Sequence, residues 1–140
     1  MTAALIVALF FTVALLITTA YFIMGSLPLL TLQHDTPLDA SFVRGFFHIY
    51  YVAAFFTASA TAVSFAFAGR PVLAAGAAGL ALLVIGLRRK IIPTMDALGA
   101  QIQTSAPQAI QAFRKTHLAA IVINIVQLVA IVWGLIAAHL

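Results

Sequence analysis

The sequence predicts an all-α fold: an integral membrane four-helix bundle, one domain over residues 1–140, with a short interfacial helix between helices three and four. Three observations carry this. Hydrophobic residues make up 64% of the chain and charged residues only 7%, against about 25% charged in a soluble domain. Mean hydropathy is +1.16. Four long apolar stretches are separated by short segments rich in Pro, Gly and charge. So little polar surface cannot enclose a core in water, and lipid must be the solvent for most of the exterior.

The sequence pI of about 10.2 rests on seven Lys and Arg. Most of these stand where helices should leave the bilayer, so they read as interfacial anchors and not as a nucleic-acid surface. Cysteine is absent. That excludes a disulfide framework, a thiolate metal site and a cysteine nucleophile.

Residues 3–30 form an unbroken apolar run, long enough to span and tilt. No basic residue precedes it, so it is expected to be a retained helix and not a signal peptide. Gly25-Ser26-Leu27-Pro28 should kink or stop it. A polar segment, 31–41, contains Pro37, and Asp39 or Ser41 is placed to cap the second span, 43–68. Gly69-Arg70-Pro71 reads as a tight turn with Pro71 opening the third span, 72–87, where Ala75 and Gly79 make a small-xxx-small pair suited to packing. Arg88-Arg89-Lys90 should end that span. Pro93 should start the interfacial helix, and Ser105 with Gln108 has the spacing of a capping box before the last span, 108–138.

Charge sets the expected orientation. Arg44, Arg88, Arg89, Lys90, Arg114 and Lys115 fall on one side and Arg70 alone on the other. The basic side should face the cytoplasm. Both termini should then lie outside it, in a multi-pass protein of a bacterial inner membrane.

The polar residues of so apolar a chain are the candidates for function. Residues three, four and seven apart share a helix face. Arg44, His48, Tyr51 and Phe55 form one stripe, and Phe113, His117, Ala120, Asn124, Gln127 and Ile131 form another. With Asp35 and Asp39 of the first polar segment they predict a pocket that opens at the cytoplasmic face and narrows toward Asn124. Arg44 can pair with Asp35, Asp39 or Asp96 in any arrangement.

Several readings of the histidines stay open. His48 and His117 can bind metal or haem, with His34, Asp35 or Asp39 near, although no H-x-x-H or E-x-x-H spacing supports it. They can instead exchange protons or hold a ligand without any cofactor. Or they are interfacial hydrogen-bonding residues. Phe46, Phe47, Tyr50, Tyr51, Phe55 and Phe56 can likewise clamp a planar quinone or phenol, or simply pack.

Four pieces of the chain carry a family resemblance: the first helix ending at Gly25-Ser26-Leu27-Pro28, the polar loop after it, Ile91-Ile92-Pro93, and Phe113-Arg114-Lys115-Thr116-His117 with Asn124 beyond. In this order they resemble the small four-helix bacterial membrane proteins of the anthrone-oxygenase-like domain of unknown function. The resemblance implies a cofactor-independent oxygenase of phenolic substrates.

The expected function is therefore a membrane protein binding a small hydrophobic or phenolic ligand, with oxygenase-like chemistry implied by the resemblance. His48, His117 and Arg44 would be the reacting groups, and Tyr51, Asn124, Asp35 and Asp39 would line the pocket. The alternative is a structural accessory subunit. In that case its partners, besides the bilayer, would be copies of itself or a larger membrane complex.

Overall fold

A computed structural model describes residues 2–29, 37–102 and 107–139. It contains four helices: α1 (Ala3–Leu29), α2 (Pro37–Phe67), α3 (Pro71–Ile102) and α4 (Pro107–His139). By length and composition all four can cross a membrane, giving a multi-pass membrane protein. No strand occurs among the described residues.

Proline opens three of the four helices: Pro37, Pro71 and Pro107. The first helical position suits it, because the missing N–H would have had no acceptor there and φ is already helical. α2 thus begins several residues earlier than expected, with Asp39 in its first turn, where a carboxylate meets the positive end of the helix dipole. The turn between α2 and α3 is the expected tight one. Gly69 adopts φ 71°, the left-handed region where a Cβ would be strained. Arg70 N donates to Phe65 O and Gly69 N to Ala66 O, closing the last carbonyls of α2 in a Schellman motif.

α3 differs from expectation. No separate interfacial helix follows Arg88-Arg89-Lys90; α3 runs straight through Pro93 to Ile102. Proline removes one backbone donor, but packing outweighs that loss. Ile91, Ile92 and Met95 are buried against the bundle. Asp96 meets Arg44 of α2, and Gly99 lies close to Ala40 of α2. The expected pair Ala75 and Gly79 faces outward, while Ala77 and Ala81 turn inward. Ser105 of the expected capping box lies outside the described residues.

Each helix packs on its chain neighbours and α1 closes the ring against α4. Three core layers follow the bundle axis. At the end bearing the chain termini and the Gly69 turn, Ala8, Phe65 and Ala138 meet. In the middle are Leu15, Ala58, Ala81 and Ile131. At the basic end Phe22, Val43, Phe47, Tyr51, Met95 and Phe113 form the largest layer. Buried positions on α1 are 8, 12, 15, 19, 22 and 26. Their alternating steps of four and three are the knobs-into-holes spacing of an antiparallel bundle.

Candidate functional site

The expected stripe on α4 is the one the fold buries: Phe113, His117, Ala120, Asn124, Gln127 and Ile131 all face the interior. On α2 the buried face is turned by one residue relative to the expected stripe. It runs through Ala40, Val43, Phe47, Tyr50, Tyr51, Ala54 and Ala58. Arg44 and His48 lie on its flank, each only partly buried.

The expected site residues therefore do not converge on one place. Arg44 goes to α3, where Nε donates to Asp96 Oδ1 at 2.9 Å and Nη2 to Oδ2 at 3.5 Å. The pair is exposed, so it positions the chains more than it stabilises them. It borders a cleft of about 310 Å³ with Ser41 and Gly99 at the basic end. Asp39 is in the first turn of α2. Asp35 and His34 lie outside the described residues.

His117 goes to α1. It is fully buried, with Nε2 3.0 Å from Ser26 Oγ and 3.2 Å from the Ser26 carbonyl oxygen. Since a carbonyl only accepts, that contact requires a proton on Nε2. Ser26 is in the last turn of α1, where carbonyls lack helical partners. His117 caps the end of α1, and the Phe47 ring stands edge-on to it at 5.1 Å. His48 Nδ1 is buried without a hydrogen-bond partner among the described residues. Nor do three His, Cys, Asp or Glu side chains converge as metal ligands among those residues.

Deeper in the bundle lies a polar array the sequence reading had not assembled. Tyr50 donates to Asn124 Oδ1 at 2.5 Å and sits 3.4 Å from Gln127 Oε1. Asn124 Nδ2 donates to the Thr19 carbonyl at 3.3 Å. These bonds tie α1, α2 and α4 together, as amides must be tied where lipid offers no partner. Both ends of Asn124 are thus engaged. Gln127 Nε2 is buried and has no hydrogen-bond partner among the described residues. Exchanging its amide N and O would let Nε2 donate to Tyr50 and would leave the oxygen bare instead, so one end is unmatched in either orientation.

Three of the aromatic residues expected to clamp a ligand, Phe46, Phe47 and Tyr50, clamp Phe22 of α1. Its ring centroid lies 4.1 Å from Tyr50, 4.9 Å from Phe47 and 5.5 Å from Phe46. Gly25 makes room for this: a Cβ there would stand 2.6 Å from Phe46 Cζ.

Ligand-sized space occurs elsewhere. Between α3 and α4, in the half of the bundle nearer the termini, a cleft of about 340 Å³ opens outward. Gly76 and Ala77 form one wall, Gly134 and Ala137 the other, and Trp133 lies at the rim, 70% exposed. Thr12 of α1 and Thr61 of α2, both buried, are also among its lining residues, so the cleft reaches the core. Their hydroxyls donate to Ala8 O and Thr57 O, each at 2.7 Å, which leaves oxygen lone pairs to accept. Leu15, Leu80 and Ile131 line both this cleft and a void of about 10 Å³ beside Gln127. That void has room for about one water.

No family model matches the chain, no curated protein matches it, and no solved structure matches it.

Proposed function

We propose that this protein binds a small hydrophobic ligand carrying a hydroxyl or carbonyl oxygen, taken up sideways from the membrane between α3 and α4. The observation that carries this is the apolar cleft reaching buried Thr12 and Thr61. Binding sites for small molecules are concave and mostly apolar, with a few polar groups to fix orientation. Here the threonine oxygens can accept from a ligand hydroxyl, while a ligand carbonyl, as in a quinone, would be met by the unpaired Nε2–H of Gln127. Rotation of Leu15, Leu80 or Ile131 would bring the bare amide end of Gln127 within reach. A phenolic hydroxyl both donates and accepts, so it matches Gln127 in either amide orientation. The resemblance to anthrone-oxygenase-like proteins, resting on the sequence motifs above, points to the same ligand class.

This site lies in the half of the bundle opposite the basic end, the end at which the sequence predicts a pocket. At the basic end Arg44 is already neutralised by Asp96, His117 is engaged by Ser26 and the aromatic cluster is filled by Phe22.

Trp133 is the chain's only tryptophan and reports on the cleft directly. Menadione, a small naphthoquinone that quenches indole fluorescence, should quench Trp133 saturably in detergent, and 1-naphthol should compete. Gly76→Leu and Gly134→Leu place side chains where a Cβ meets open space. Each should fold normally and lose the saturable quenching by about tenfold or more, the scale of 1.4 kcal/mol. Quenching that only rises linearly, as for a probe partitioning into micelles, would sink the proposal. An accessory subunit would instead fill the cleft with a partner's helix, and purification with a stoichiometric partner seated there would favour that reading.

The basic end is proposed to face the cytoplasm of a bacterial cell, on the six basic residues gathered there against Arg70 alone. Without native cysteine, single cysteines test this cleanly. A cysteine at Ala100 should react with an impermeant maleimide only from the cytoplasm, and one at Gly69 only from outside. The reverse pattern would invert the topology.

A further inference from the structure

A second groove lies on the lipid-facing side of α2 and α3. Its volume is about 340 Å³, and Tyr51, Phe55, Val84, Ile85, Arg88 and Arg89 are among its walls. From Pro71 to Arg88 the helix rises about 26 Å at 1.5 Å per residue, close to the hydrocarbon thickness of about 30 Å. Arg88 and Arg89 therefore stand at headgroup level, with the apolar part of the groove below them in the acyl region. Both arginines are exposed and neither has a carboxylate partner among the described residues. Tyr51 is only 2% exposed yet lines the groove, and its hydroxyl has no hydrogen-bond partner among the described residues.

We propose that this groove is a specific site for one anionic phospholipid. The phosphodiester is held by Arg88 and Arg89, the Tyr51 hydroxyl donates to a lipid oxygen, and one acyl chain lies along Phe55, Val84 and Ile85. Three features select this occupant. Guanidinium is the side chain best matched to phosphate oxygens. The Tyr51 side chain lines the groove and its hydroxyl has no partner among the described residues, so a lipid oxygen there would supply the acceptor that acyl chains cannot. The apolar run beneath the charges fits an acyl chain and would be wasted on a soluble phosphate. The site is separate from the α3–α4 cleft and does not depend on the reading given to it.

The test uses the full chain, delipidated in dodecylmaltoside and examined by native mass spectrometry. With dioleoyl phosphatidylglycerol one lipid should be retained per chain, about tenfold more tightly than dioleoyl phosphatidylcholine, consistent with the attraction of basic side chains to anionic lipid. Arg88→Gln/Arg89→Gln should reduce retention to the phosphatidylcholine level. Tyr51→Phe should weaken it about fivefold, the scale of one hydrogen bond, with the helical circular dichroism unchanged. Lys90→Gln, one residue beyond the groove, should change nothing. Equal retention of the two lipids would overturn the proposal. So would loss of retention in Lys90→Gln as large as in the arginine double variant, which would mean diffuse attraction. Competition by glycerol 1-phosphate at the lipid's concentration would also overturn it, in favour of a free phosphate ester.

Discussion

Phe47→Ala is expected to destabilise the protein by roughly 2–3 kcal/mol. Phe47 is fully buried and touches rings from three directions: Phe22 on α1, Tyr51 on its own helix and His117 on α4. In a water-soluble protein the cost would be about 3–5 kcal/mol, combining lost transfer energy with a cavity. In a membrane the transfer part largely falls away, because lipid is as apolar as the core. The cavity part remains: about 24 cal/mol per Å³ over the roughly 100 Å³ of a phenyl group gives about 2.4 kcal/mol. Unfolding by SDS in mixed micelles, followed by circular dichroism, measures it. Phe56→Ala is the control, since Phe56 is exposed and its side chain meets lipid in either state. A Phe47→Ala loss no larger than that of Phe56→Ala would show that the aromatic layer is not a packed core.

Asn124→Leu should cost about 1–2 kcal/mol and leave ligand binding intact. The interhelical bonds of membrane proteins average about 0.6 kcal/mol and reach about 1.7. Asn124 makes two, to Tyr50 and to the Thr19 carbonyl. Leucine has similar volume but strips Tyr50 of its short bond, leaving only the 3.4 Å approach to Gln127. An Asn124 that served as a pocket floor would behave differently. Its replacement would hold or raise stability, and menadione quenching of Trp133 would fall. That outcome would return the site to the stripe predicted from sequence.

The class of fold was legible because composition alone forces it: 7% charge leaves no alternative to lipid. The buried stripe of α4 was legible because His117, Asn124 and Gln127 interrupt an otherwise apolar helix at steps of seven and three, and lipid cannot satisfy them. On α2 the face was misjudged by one residue. Tyr50 and Tyr51 are neighbours in an apolar run, and only the position of Phe22 and Asn124 decides which hydroxyl enters the array. α1 carries Thr12, Thr19 and Ser26 at intervals of seven. Thr18 breaks the pattern, and threonine can bond back to its own helix wherever it points. The length of α3 could not be read, because Pro93 is a local stop that contacts from α2 overrule. The α3–α4 cleft had no sequence signal at all. It arises where Gly76 and Gly134 leave space between two helices, and glycine is ordinary in membrane spans.

The most direct test of the binding proposal is native mass spectrometry of the protein extracted gently from its own membrane. One small, oxygen-bearing apolar molecule per chain is expected. It should be lost in Gly134→Leu and retained in Arg88→Gln/Arg89→Gln, which separates it from lipid in the α2–α3 groove. A chain that carries no such molecule, or one that keeps it undiminished when Gly134→Leu fills the cleft, would show that the α3–α4 cleft is not a binding site.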